Sequence, residues 1–309
     1  MYLISKKYCL SIGLIVGLAG CGISTPTTTS TTSTPTTPTT PTTPTTPSTS
    51  TADTTCSNYA STSMPTVIAE DIVLMSATPF DRYIKYNGLT LFAMPTNTDN
   101  FLINVTKTYR DMLGGDLGNT SSCVDTLKTK FTDNKTAQRL WKTDSPAHFE
   151  GDSGFDRAGY EAQDLIQEGV DSEQANEVIE HLLHTITVLG LSQVFPNKWD
   201  YTDTNSDLYL SMQQAIDGGF YDTSDYDDLE ASNLADYQLI IQQEFAYMAI
   251  LTAWGLKAQV WPDSTGEWTL TTTSDIRDNL PLFWTLYENT IEGFLVAPAY
   301  SDLQARFPL

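Results

Sequence analysis

The sequence predicts an α+β domain in which helices dominate, and it places that domain after a segment that does not fold. Short runs rich in Val, Ile, Leu and Phe lie early in residues 56–309, whereas longer segments with the apolar spacing of helices fill the rest. Residues 24–55 are nearly pure Thr, Pro and Ser and offer nothing to bury, so they are predicted to be disordered. Because no second linker interrupts residues 56–309, we expect one domain there.

The first 20 residues have the pattern of a bacterial export signal. Lys6 and Lys7 precede an apolar stretch at 10–18, which is too short to be a good membrane span, and Leu-Ala-Gly then leads into Cys21. This order resembles the lipobox of bacterial lipoproteins; an ordinary membrane anchor is the alternative. The resemblance implies that Cys21 is acylated and that its lipid attaches an exported protein to the cell envelope, at the outer membrane or the cell surface.

Residues 21–55 are accordingly predicted to be a lipidated cysteine followed by a tether. At about 3.1 Å per residue, such a tether reaches at most ~90 Å. The formal net charge of the whole chain is −22. This charge argues against nucleic acid and against anionic lipid head groups as partners, because basic patches supply those affinities. Contact with the membrane is therefore expected through the lipid on Cys21.

The remaining cysteines suggest a disulfide. Of the four cysteines, Cys9 is removed with the signal and Cys21 is committed to lipid. Cys56 and Cys123 are then an even pair in an exported protein, where disulfides form. We predict a Cys56–Cys123 disulfide that fixes the start of the domain to its body; two free buried thiols are the alternative.

The element order within the domain follows from apolar spacing and from the turn residues between segments. Strands are predicted at 67–75, 89–94 and 137–142, with a hairpin at 260–272 and a loop at 144–159. Helices are predicted at 99–113, 123–131, 172–190, 207–216, 235–254 and, except at Pro281, 274–294.

Two of the three histidines of the chain lie in one short motif, Glu180-His181-Leu-Leu-His184, inside the predicted helix 172–190. Glu177 precedes His181 by four residues, as Glu180 precedes His184, so the four polar side chains form one stripe on a helix whose other residues are apolar. Unpaired charges are costly in such surroundings. The stripe is therefore either an internal ion-pair network or a group that faces a metal, a substrate or water.

A second predicted helix carries a carboxylate on its apolar face. Glu244 shares that face with Ile240 and Leu251, and Tyr237 lies two turns before Glu244 on the same side. A carboxylate in such a place needs a cation, either a metal ion or a basic side chain. Two such helices can supply a metal site of the His/His/Glu kind; a salt bridge from Glu244 to Arg277 or Lys257 is the alternative.

Residues 89–255 resemble the catalytic domain of the anthrax-lethal-factor-like zincin metallopeptidases. The order of strand, helix, loop, motif helix and glutamate helix is similar, as are the segments 143–148, which ends in His148, and 243–246, Gln-Glu-Phe-Ala. Tyr237 stands seven residues before Glu244, where the family has a transition-state tyrosine. The chain also resembles an uncharacterised set of exported microbial proteins with Glu-Glu-x-x-His at the motif.

The motif departs from the family at its centre. The family reads His-Glu-x-x-His, with two zinc ligands and a general base. Aligned through His184, this chain has Glu180 at the first ligand position and His181 at the base position. The resemblance thus implies Glu180, His184 and Glu244 as ligands of a divalent metal, zinc, with His181 as base or as alternative ligand and Tyr237 as oxyanion donor.

Three functions are compatible with these patterns, and the sequence leaves open whether the protein is an enzyme. The first is a lipid-anchored protein with a degenerate zincin-like site that hydrolyses a peptide or related amide with the help of the metal. The second is a catalytically inactive module that binds a peptide or another envelope protein. Its surface would use tryptophans, namely Trp254, Trp261, Trp268 and Trp284. The third, calcium binding at 222–228, lacks the ligand spacing of an EF-hand.

Overall fold

The computed structural model describes residues 58–59, 65–76, 79–114, 120–142, 159–262 and 266–308. These residues belong to one unit, 53–309. The predicted signal peptide at 1–20, the predicted tether at 21–55 with Cys21, and Cys56 lie outside the described residues. So do most of the predicted loop 144–159 and the segment 143–148 that the family resemblance uses.

A mixed five-stranded sheet forms the β part of the domain. Its strands, in spatial order, are β2 (Val73–Leu74), β3 (Arg82–Tyr86), β4 (Leu89–Ala93), β6 (Thr136–Trp141) and β7 (Glu161–Gln167). The pairs β2–β3 and β3–β4 are antiparallel, whereas β4–β6 and β6–β7 are parallel. A separate antiparallel pair joins β1 (Asn58–Tyr59) to β5 (Thr120–Ser121). The outer strand β7 packs against the helix Gln174–His184.

Helices make up most of the remaining described chain. They are α1 (Asp99–Met112), α2 (Ser122–Asp133), α3 (Gln174–His184), α4 (Asp207–Asp217), α5 (Asp227–Ser232), α6 (Leu234–Ala253), α7 (Lys257–Val260), α8 (Thr273–Asn279), α9 (Pro281–Thr290) and α10 (Tyr300–Arg306). The helix-dominated α+β class is thereby confirmed. Among the described residues, none of the helices is both long enough and apolar enough to cross a membrane.

The motif helix α3 does not end where the sequence predicted. It continues as a π-helix over Thr185–Leu191 and a last helical turn over Ser192–Val194, so Gly190 lies inside it rather than after it. A side chain at Gly190 would collide with Leu127 and Phe131 of α2. Gly190 is therefore required for close helix packing and not as a helix terminator.

Two predicted strand assignments need correction, and other strands were not predicted. Only Val73–Leu74 of the predicted strand 67–75 forms a strand, because residues 69–71 form a 3₁₀ turn. The predicted hairpin 260–272 is absent from its described part, where α7 is helical up to Val260 and Trp268 forms a bridge with Tyr221. The sequence analysis also missed β3, which a turn at Asn87 and Gly88 with φ of 44° and 83° joins to β4.

The helix α6 is buried on nearly all sides because other helices surround it. This helix contacts α3, α4, α5 and α8, and its residues from Ile240 to Ala253 are almost all buried. A helix enclosed in this way shows little amphipathic pattern. Glu244 is the partly buried exception, and it lies on the side of α6 that meets α3.

Candidate metal centre

Three elements bring the polar residues of the candidate site together: β7, α3 and α6. After β7, the chain turns at Gly169, whose φ of 94° suits glycine, and α3 then packs back against the strand. The Gln174 side chain fastens this turn, since it accepts from the Gly169 amide at 2.6 Å and donates to the Gln167 carbonyl at 2.7 Å. Asp164 of β7 is thereby held beside the histidines of α3.

The predicted ligands Glu180, His184 and Glu244 lie together. One ligand atom from each of them falls within 4.8 Å of the other two, and such a group could hold a metal ion. His184 Nε2 and Glu244 Oε2 are 3.8 Å apart, which is too long for a hydrogen bond. Two ligands of one tetrahedral zinc ion lie roughly 3.3–3.5 Å apart, because each bond measures about 2.0–2.2 Å. The observed separation is thus close to the spacing that a shared ion requires.

The two nitrogens of His184 have different surroundings. Nδ1 lies 2.9 Å from Asp164 Oδ2, whereas Nε2 is buried and has no hydrogen-bond partner in the described structure. Gln243 Nε2 also lies 2.9 Å from Nδ1 and can only donate, so this contact alone would favour an unprotonated Nδ1; the charged carboxylate of Asp164 is the stronger partner and favours the proton on Nδ1. With the proton on Nδ1, the lone pair of Nε2 lies on the side of Glu244, in the group that also contains Glu180, and Nε2 can then bind a metal.

His181 is held between two carboxylates. Its Nδ1 lies 2.8 Å from Asp164 Oδ2 and its Nε2 lies 3.1 Å from Glu177 Oε1. Burial alone would lower the pKa of His181, but the charges and hydrogen bonds of Asp164 and Glu177 outweigh burial and raise this pKa well above its usual value. The raised pKa favours the protonated ring, and both ring nitrogens have a carboxylate partner. The predicted role of His181 as base or as ligand stays a prediction.

The pKa of Asp164 is shifted in the opposite direction. Burial alone would raise it, yet the charge of His181 and the hydrogen bonds from His181 and His184 together hold it well below its usual value. Asp164, His181 and His184 also form a second group that could hold a metal. Their contacts of 2.8 and 2.9 Å are hydrogen-bond lengths, shorter than the spacing of ligands around an ion. As observed, this group is a hydrogen-bonded cluster.

Tyr237 is not part of either group. Its hydroxyl lies 3.4 Å from Thr223 Oγ1. A different tyrosine of α6, Tyr247, approaches the candidate ligands: its ring centroid is 5.9 Å from that of His184, and its hydroxyl donates to Asn176 Oδ1 at 2.6 Å. Burial, and after it the charge of Glu180, raises the pKa of Tyr247 well above its usual value, so the hydroxyl stays protonated.

The basic residues, tryptophans and acidic segment named as alternatives in the sequence all lie within the described structure. The guanidinium of Arg277 lies 4.8 Å from the ring centroid of Trp284, and the Lys257 ammonium lies 5.4 Å from that of Trp261. Trp268 is buried, and the other three tryptophans named above are partly buried. In the acidic segment 222–228, Asp222 accepts from the Ser224 amide in a local turn.

The disulfide prediction is only partly within the described residues. Cys123 is buried and disulfide-bonded. Cys56 is outside the described chain, so the pairing of Cys56 with Cys123 stays a prediction. It is supported by the β1–β5 pair, in which Asn58, two residues after position 56, is paired with Ser121, two residues before Cys123.

The sequence analysis missed three residues of this region: Asp164, Asn176 and Tyr247. Asp164 lies in a strand whose alternation is weak, with burial confined to Leu165 and Ile166. One signal was present, because Asn176 lies four residues before Glu180 and hence on its face of the helix.

Comparison with known proteins adds no assignment: no family model matches the chain, and neither a curated protein nor a solved structure matches it significantly.

Proposed function

We propose that this chain is a lipid-anchored protein of the bacterial cell envelope whose domain binds one divalent cation, zinc, through Glu180, His184 and Glu244. The observation that carries the proposal is the buried, unpartnered Nε2 of His184, which faces two carboxylates while Asp164 holds the opposite nitrogen. A buried nitrogen without a hydrogen-bond partner costs stability unless a ligand uses it. A cation bound to Nε2 would be such a ligand.

The donor set fits a zinc ion of moderate affinity. Carboxylate oxygens and one imidazole nitrogen are all zinc ligands, although two carboxylates make the site harder and more anionic than the usual two imidazoles and one carboxylate. Within the described part of the chain, no Lys or Arg forms an ion pair with Glu180. Among the described residues, Glu180 therefore lacks the Lys or Arg partner that an internal salt-bridge network would give it.

The reaction that we propose first is zincin-like hydrolysis of a peptide or related amide. Three protein ligands leave a position for water or substrate, and a bound zinc ion supplies Lewis acidity there. Asp164 keeps the proton on His184 Nδ1. Glu177 and Asp164 occupy both ring nitrogens of His181, so in this arrangement His181 has no free nitrogen to act as a base.

A second candidate function is a zinc-containing but catalytically inactive module that binds a peptide or another envelope protein. Two observations favour it. His181, at the position of the family's general base, has both nitrogens engaged, and the hydroxyl of Tyr237 faces Thr223. Hydrolysis of a peptide library by the zinc-loaded protein separates the two candidates, because only the first predicts cleavage that a chelator abolishes and zinc restores.

Elemental analysis of the purified protein, before and after chelation, tests the metal proposal. We expect about one zinc per chain, lost in Glu180→Gln and retained in Glu177→Gln, which removes a carboxylate from the same helix one turn away. A zinc-free protein that chelators leave unchanged would contradict the proposal.

The lipid anchor is tested separately. Cys21→Ser should abolish fatty-acid labelling and membrane association, and unchanged association would contradict the anchor.

A further inference from the structure

A short relay of hydrogen bonds leads from α6 to one oxygen of Glu180. The Tyr247 hydroxyl donates to Asn176 Oδ1 at 2.6 Å, and Asn176 Nδ2 donates to Glu180 Oε2 at 3.4 Å. All three residues are buried. We propose that Asn176 and Tyr247 are positioning residues that set metal selectivity by reserving Oε2 of Glu180 for the relay and leaving one oxygen for the cation. This inference rests on the proposed function, since it assigns a property to the same metal centre.

The orientation of the Asn176 amide follows from its two neighbours. The carboxylate of Glu180 can only accept hydrogen bonds, so it requires the NH₂ group of Asn176 on its side. The carbonyl oxygen then faces Tyr247, whose hydroxyl is the donor. The reverse orientation would set the Asn176 oxygen against the carboxylate. Tyr247 thus fixes the direction of the amide, and Asn176 in turn fixes the carboxylate.

The number of oxygens that Glu180 offers decides which cations suit the site. A carboxylate with one oxygen engaged binds a metal through the other, and together with His184 and Glu244 this leaves a small set of ligands. Zinc is satisfied by four ligands in tetrahedral geometry. Calcium takes six to eight oxygen ligands, and manganese prefers an octahedral oxygen site. Release of Oε2 from Asn176 would allow Glu180 to bind through both oxygens and would favour the larger coordination numbers.

Tyr247→Phe and Asn176→Leu test the proposal, because each variant removes one donor of the relay and keeps a similar volume. Tyr221→Phe is the matched control. Tyr221 is also a buried tyrosine against α6, and its hydroxyl donates to the Ile241 carbonyl at 3.1 Å, a contact outside the relay. Zinc and manganese dissociation constants are measured for each purified protein by competition with a chromophoric chelator. The absorption of the cobalt-loaded form reports the coordination number.

We expect both relay variants to bind zinc about 10–100-fold more weakly, as loss of a group that orients a ligand does elsewhere. The ratio of zinc to manganese affinity should fall at least about tenfold, and the cobalt bands should weaken toward those of a higher coordination number. Tyr221→Phe should change neither ratio nor spectrum. Rescue of the zinc-to-manganese ratio by Asn176→Gln, but not by Asn176→Leu, would support the role of the amide donor.

Two results would overturn the inference, and they are distinguishable from failure of the proposed function. If the wild-type protein binds zinc and the two relay variants keep its zinc-to-manganese ratio, the centre exists but the relay does not set its selectivity. If Tyr221→Phe shifts the ratio as much as Tyr247→Phe does, the effect is a general consequence of a lost buried hydroxyl. If the wild-type protein binds no zinc, the proposed function fails and the inference with it.

Discussion

The two nitrogens of the His184 ring differ in whether a hydrogen bond satisfies them within the described structure. On the Nδ1 side, Asp164, His181 and Glu177 are joined by contacts of 2.8 to 3.1 Å. On the other side, Nε2 is buried without a hydrogen-bond partner among the described residues, and it lies 3.8 Å from Glu244 Oε2.

The difference shows how one imidazole can be both fixed and available. On the Nδ1 side, called the fixed side below, hydrogen bonds and a charged pair already satisfy the polar groups, so this side does not require a metal ion. The Nε2 side, called the open side below, has a buried nitrogen without a hydrogen-bond partner among the described residues, close to carboxylates, and such a nitrogen is costly unless a cation binds it. The contacts on the fixed side therefore hold the imidazole in the orientation that leaves Nε2 available for a cation.

The largest expected effect is loss of the metal when an open-side ligand is changed. Glu180→Gln, His184→Ala and Glu244→Gln each remove one of three ligands, so each should lower zinc occupancy from about one per chain to near zero. Inductively coupled plasma analysis of the purified variants measures it. Full occupancy in any two of the three variants would show that the ion, if present, binds elsewhere.

Removal of the metal should destabilise the wild-type fold. A ligand that binds only the folded state stabilises it by about 2.7 kcal/mol when its free concentration is 100 times Kd. We therefore expect a lower Tm after chelation, restored by zinc, in thermal unfolding followed by circular dichroism. His184→Ala is the control, because zinc should not change its Tm. An equal response to zinc in that variant would indicate unspecific binding.

A change on the fixed side should weaken zinc binding without abolishing it. Asp164→Asn removes the charge that holds the proton on His184 Nδ1, and loss of such an orienting carboxylate costs about 10–100-fold in metal affinity. Competition titration measures the dissociation constant. A complete loss of zinc with a folded protein would instead make Asp164 a ligand, and it would favour the second group, Asp164 with His181 and His184.

The smallest effect is expected for Glu177. Glu177→Gln removes one charge from the pair with His181 and weakens the bond to the Gln167 amide, at an expected cost of about 1–2 kcal/mol in unfolding free energy. Zinc affinity should stay within about threefold of wild type, because the residue does not face the open side. Urea denaturation gives the first quantity. A tenfold or greater change in zinc affinity would contradict the separation of the two sides, because it would show that Glu177 contributes to zinc binding.

The open side was predictable from the sequence, and the fixed side was not. Spacing on α3 places Glu180 and His184 on one face, and a carboxylate within the apolar α6 indicates a partner for them, so local periodicity sufficed. Asp164 reaches the histidines only through the parallel pairing of β6 with β7 and the turn at Gly169, and no local pattern specifies that contact.

The same contrast applies to the fold. Long helices such as α1 and α6 were predicted to within one residue at each end, since their apolar periodicity and caps are local properties. Gly190 was misread as a helix end because its real role, contact with Leu127 and Phe131, depends on tertiary packing. β3 was missed although Asn87-Gly88 is a strong hairpin signal, because the strand Arg82–Tyr86 is rich in polar and tyrosine residues.

The location of the ion is the most direct test of the account. Crystals of the zinc-loaded protein, with diffraction data recorded on both sides of the zinc absorption edge, would give an anomalous difference peak at the bound ion. The account predicts one peak within about 2.0–2.2 Å of His184 Nε2 and of one oxygen each from Glu180 and Glu244. A peak on the Nδ1 side, between Asp164 and His181, or the absence of any peak near His184, would contradict it.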